Sequence, residues 1–139
     1  MHLLTVLFSV WIIIWPMIVS SPPKCLNYST KVALSGKLQR VTFAGPPNYE
    51  SISRGDRPEV AFVIDLPESI CVEKDEMQDA KKGVQTVQLV FTTEGEKEYE
   101  RYRPLLGRKV EVTGKLFHAQ TGHHHTAVLI EVTGMKQIG

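Results

Sequence analysis

Apolar and polar positions divide the chain into five strand-like runs and one short helical stripe. The first run is KVALSGKLQRVTF, residues 31–43. Val32, Leu34 and Leu38 share one parity, whereas Val41 and Phe43 share the other. Side chains alternate strictly along a strand, so this switch predicts one extra residue, a bulge within residues 36–40. A long first strand bent at a glycine or bulge is how a small barrel turns a corner. The second run, EVAFVIDL at 59–66, is apolar on both faces and reads as a central strand. The third, QTVQLVF at 85–91, alternates Val87, Leu89 and Phe91 with polar neighbours. KVEVTGKLF at 109–117 and TAVLIEV at 126–132 supply the last two. Gly114, on the same face as Val110, Val112 and Leu116, marks a bend or a close backbone approach.

Between the third and fourth runs lies GEKEYERYRPLLG, residues 95–107. Tyr99, Tyr102 and Leu106 fall at i, i+3 and i+7, the stripe of a short amphipathic helix. Pro104 must break or kink it, and Gly107 reads as its stop. The order is therefore strand, strand, strand, helix, strand, strand. This is the order of an OB-fold, a five-stranded Greek-key barrel with its helix between strands three and four. The expected fold is all-β: a small five-stranded OB-like barrel with one short helix. A generic antiparallel sandwich has no particular need for a helix in that slot.

The N-terminus changes the picture. Residues 3–19, LLTVLFSVWIIIWPMIV, are almost wholly apolar and carry no charge. Pro16 and the small residues Ser20 and Ser21 favour a signal peptide over residues 1–20, cleaved between the two serines. The n-region has no Lys or Arg, so an uncleaved membrane anchor is the alternative. In both cases residues 21–139, a single domain, sit outside the cytoplasm. Cys25 and Cys71 both fall there, and an even pair in an oxidising compartment predicts one disulfide. Acidic and basic residues nearly cancel, at a formal +1, which argues against a dedicated nucleic-acid binder.

Candidate chemistry gathers in two loops that flank the binding face of an OB-fold. The first, AGPPNYESISRGDRPE at 44–59, has no strand pattern, and Pro46, Pro47, Gly55 and Pro58 shape its backbone. The second, HAQTGHHHT at 118–126, holds four of the five histidines. In an extended segment His123 and His125 point to one side and His124 to the other. His118, across the turn, would complete a three-nitrogen set with His123 and His125 suited to Zn or Cu, with Asp56 or Glu50 as a fourth ligand. The alternative is that the histidines hydrogen-bond the loop or contact a ligand. The rim residues expected to bind are Asn48, Tyr49, Asp56, His118, His123, His124 and His125.

Catalysis needs an arranged set, such as His118 or His124 as base beside Asp56 or Glu59. No nucleophile motif arranges one, so a hydrolase or nuclease is the third reading, behind a binding module and a metal binder. Other motifs have plainer readings. Arg54-Gly55-Asp56 spells an adhesion tripeptide, but Gly-Asp is common in turns. Asn27-Tyr28-Ser29 fits a glycosylation acceptor. Residues 72–83 are a charged connector.

The two loop motifs, GPPNYESISRGDRPE and LLGRKVEVTGKLFHAQTGHHHT, together with the cysteine of ESIC, resemble an uncharacterised bacterial family, domain of unknown function 4431. The resemblance runs from about Cys25 to Val132. It implies a secreted or envelope-associated bacterial protein and carries no activity. The family has a proline soon after the last histidine where this chain has Ala127, which bears on strand entry alone. The partners these readings imply are an envelope protein, a glycan or a small ligand, with a membrane contacted only through an uncleaved leader.

Overall fold

A computed structural model of the chain describes residues 25–139. The leader expected over residues 1–20 lies outside the described residues. Five strands form the sheet: β1 (Lys31–Ala44), β2 (Pro58–Val72), β3 (Lys81–Val90), β4 (Lys109–His118) and β5 (Val128–Gln137). They close into a ring in the order β1-β2-β3-β5-β4, with β4 returning to β1. All neighbours are antiparallel except β3 and β5, which pair in parallel through three residues each. One helix, α1 (Glu96–Tyr102), lies between β3 and β4. It ends sooner than its stripe suggests, because Pro104 cannot continue the hydrogen-bond ladder and a 3-10 turn, Arg103–Leu105, takes over. Tyr99, Tyr102, Leu105 and Leu106 still pack on the core.

The interior fills with alternate residues of every strand. Leu38 sits opposite Ile64, Ile64 opposite Val87, Leu89 opposite Ile130, and Leu34 opposite Val112. All of these are buried in one cluster. Gly36 and Gly114 lie where backbones come closest: a Cβ on Gly36 would stand 2.2 Å from the Asp65 carbonyl oxygen, and one on Gly114 2.0 Å from that of Glu131. The close approach expected at Gly114 is therefore present. Cys25 and Cys71 form the expected disulfide, and a short parallel bridge from Leu26 to Val72 continues it.

The bulge expected within residues 36–40 is absent. The register of β1 runs unbroken from Lys31 to Lys37 against β4 and from Lys37 to Ala44 against β2. Lys37 pairs on both sides, so the long strand turns the corner by leaving one neighbour and joining the other. The irregularities lie instead between Asp65 and Val72 of β2 and between Thr113 and Gly114 of β4. Parity switches for another reason: Leu34 and Leu38 face the interior, whereas Val41 and Phe43 face the outside of a sheet that is itself covered there.

Candidate functional site

The cover on the outer face is the histidine loop, residues 119–127. Beneath it, Ala61, Val63 and Leu129 are buried yet stand outside the interior cluster. Gln88 lies between Val63 and Leu129 in the ladder, so its side chain shares their outward face. Gln88 is 6% exposed, and its side chain is bonded at both ends. Its Nε2 donates to the His123 carbonyl at 3.0 Å, and its Oε1 accepts the His125 N–H at 2.7 Å. The Gln88 N–H donates to Thr126 Oγ1 at 3.0 Å. A polar residue in an alternating strand reads as solvated, which is why Gln88 carries no signal in the sequence.

Each consecutive histidine anchors the loop to a different part of the sheet. His125 stacks on Phe43 of β1, with ring centroids 4.4 Å apart and planes 5° from parallel, and its Nε2 lies 3.2 Å from Glu59 Oε1. His124 turns the other way and meets Phe117 of β4 edge-on at 5.4 Å. Its Nδ1 accepts the Gln120 N–H at 2.9 Å. Burial, and then the neighbouring imidazoles of His123, His125 and His118, lower its pKa and keep the ring neutral. His123 places Nδ1 2.9 Å from both Glu59 oxygens and Nε2 3.2 Å from the Tyr49 hydroxyl. His123 and His125 thus share one side and His124 takes the other.

Glu59 is the common partner of this group. Burial alone would raise its pKa, but the bonds from His123 and His125 and their charge outweigh that and hold the carboxyl below its usual value. An ionised carboxylate only accepts, so the His123 nitrogen facing it, Nδ1, is the one that donates. Its Nε2 meets the Tyr49 hydroxyl, accepting from it in the tautomer that carries one proton on Nδ1. The result is a chain from carboxylate to imidazole to phenol that ends at solvent, with the His123 side chain 61% exposed.

Tyr49 is held in place from its own loop. Its φ of 60° is left-handed, a conformation that costs an L-residue with a side chain about 1–2 kcal/mol. The Asp56 carboxylate offsets this by accepting three backbone N–H groups, from Asn48 at 2.9 Å and from Glu50 and Ser51 at 2.8 Å each. These bonds, from Ser51, Glu50 and Asn48 in that order of effect, lower the Asp56 pKa against the opposing effect of burial. Gly122 completes the seat, since a Cβ there would stand 2.7 Å from the Tyr49 ring. Asp56 is therefore a buried brace, and with its carboxylate turned inward Arg54-Gly55-Asp56 does not present two outward charges.

Of the expected rim residues, Asn48, Tyr49, His123 and His125 come together around Glu59 and Asp56. His118 ends β4, and its N–H bonds Gln78 Oε1 at 2.8 Å. The set His118, His123 and His125 is not gathered: among the described residues no group of three or more His, Cys, Asp or Glu side chains is placed to hold a metal ion. His118 and His124, the candidate bases, make no hydrogen bond to a carboxylate among the described residues, whereas His123 and His125 do. Chemically, the arrangement offers a phenol oxygen and an imidazole edge to a polar ligand, and a proton path between them. No curated protein matches the chain. Residues 86–136, which take in half of β3, all of α1, β4 and the histidine loop, and nearly all of β5, match the family described as Domain of unknown function (DUF4431).

Proposed function

We propose that the chain is an extracytoplasmic OB-like binding module, exported by residues 1–20, whose ligand docks on the rim built by residues 44–59 and 118–126. The ring order, with the helix between strands three and four, is that of an OB-fold, whose two flanking loops carry its ligand contacts. The disulfide accords with an oxidising compartment, and the resemblance to an envelope-associated family points the same way. The observation that carries the reading is the bond from Tyr49 to His123, which joins the two loops into one surface while leaving the imidazole exposed. A residue held at positive φ by a buried carboxylate is a pre-organised contact, and pre-organisation lowers the cost of binding. The partner is an envelope protein, a glycan or another small polar ligand.

A photo-crosslinking amino acid at Asn48, with a control at Thr133 on β5, tests the proposal in living cells. A discrete adduct at position 48 that is absent at 133 and lost with His123→Ala is the expected result. Adducts of equal yield at both positions, or none at either, would refute a rim site.

A further inference from the structure

The geometry points to a second binding site, at one mouth of the ring, for a small zwitterion with an apolar side chain, such as an amino acid or dipeptide. Positions 40 and 60 continue the inward parity of Leu38 and Phe62, but they lie where the interior opens. Between them and α1 runs a groove of about 370 Å³. Its floor is Val60, Phe62 and Tyr99. Val60 is 40% exposed, one of three large apolar residues so placed among the described residues.

The walls carry charge of both signs. Arg40 stands on the strand side, and Glu96, Glu100 and Arg103 on the helix side. Among the described residues no ion pair engages any of the four side chains, although Arg101 and Glu94 nearby pair at 2.6 Å. Glu96 and Glu100 are one helical turn apart, a like-charge spacing that destabilises a helix unless a cation comes between them. A guanidinium takes a carboxylate by two parallel bonds. A ligand with both a carboxylate and an ammonium would satisfy each wall and lay its side chain on Val60 and Tyr99. An apolar molecule with one charge would leave the opposite wall desolvated and unmatched. The volume is at the lower end of the range for ligand pockets and suits nothing much larger than a dipeptide.

Leucylphenylalanine, titrated into 15N-labelled protein and followed by amide chemical shifts, tests the site. Saturable shifts at Val60, Gly95 and Tyr99 are expected, with Arg40→Gln and Glu100→Gln each weakening binding at least about tenfold. N-acetylated and C-amidated forms should bind no better than those variants. Both substituted residues are exposed, so an unchanged Tm verifies that the variants fold. The proposal is overturned if no shifts occur up to about 10 mM peptide, if the blocked peptides bind as well as the zwitterion, or if the shifts cluster at Tyr49 and His123. The last result would leave the rim site standing and remove this one.

Discussion

Replacing Gln88 by leucine separates the histidine loop from the sheet without touching a histidine. Leucine is close in size but neither donates nor accepts, so the His123 carbonyl and the His125 N–H lose the partners they have at 3.0 and 2.7 Å. A buried polar group without a partner costs about 1–3 kcal/mol, so with two such groups a loop that stayed closed would cost the fold about 2–6 kcal/mol. Opening the loop returns both groups to water but gives up the Phe43–His125 stack and the bonds to Glu59 and Tyr49, each of about 0.5–1.5 kcal/mol. The two costs are comparable, so the variant should populate an open loop on an otherwise intact ring. Urea denaturation reads the loss of stability, with a fall in Tm on the order of 10 °C for a domain of this size. Amide hydrogen exchange at His125 and Thr126 reads the opening. Gln88→Glu is the companion: ionised, it accepts from His125 but cannot donate to His123, and protonation restores the donor. Its deficit relative to the parent should therefore shrink as pH falls toward the carboxyl pKa. Unchanged stability and exchange in Gln88→Leu would refute the clamp.

Three further outcomes follow from the same geometry. Asp56→Asn removes the charge and one accepting oxygen, so amide exchange should rise at Asn48, Glu50 and Ser51 while β1 and β2 keep their protection; exchange confined to residues elsewhere would contradict a brace. Glu59 has a lowered pKa when folded, so its contribution is present above the ordinary carboxylate pKa of about 4.3 and is lost as pH falls through the lower folded value. Stability curves of the parent and Glu59→Gln should converge on acidification below that range, and a gap that stays constant from neutral pH to acid would count against the shift. Replacing both cysteines by serine opens a loop spanning 46 residues, which the chain-entropy relation values at about 4 kcal/mol in chemical denaturation; a loss under about 1 kcal/mol would show the bridge is incidental.

The interior was legible in the sequence because it follows simple alternation. Leu34, Leu38, Val87, Leu89, Val110 and Val112 face inward as their parity demands. The second buried surface was not, since a face covered by a loop of the same chain looks like a solvated face at every position but a few. Val41 and Phe43 did signal it, and their parity switch is the trace of the cover, not of an inserted residue. At the site, the sequence marked both loops and the histidines, because four histidines in nine residues are conspicuous. It could not distinguish Asp56 as a brace from Asp56 as a contact, because which way a loop carboxylate turns depends on the φ values of its neighbours. Nor could it choose Glu59 over Glu50 as the partner of His123: one ends the loop at the start of a strand, and the other lies exposed beside Arg54.

The ring closes through β5, which fills the gap between β3 and β4 and is the last strand to be made. Until it arrives, two edges with open hydrogen-bonding groups face each other across the gap, one in parallel and one in antiparallel register. The first three strands, with the disulfide that ties the segment before β1 to the end of β2, can pair before β5 is in place. The barrier to completion is therefore placed at the docking of β5, where residues 128–137 must find both partners at once. A chain in which those residues are unpaired would be an aggregation-prone intermediate with two open edges.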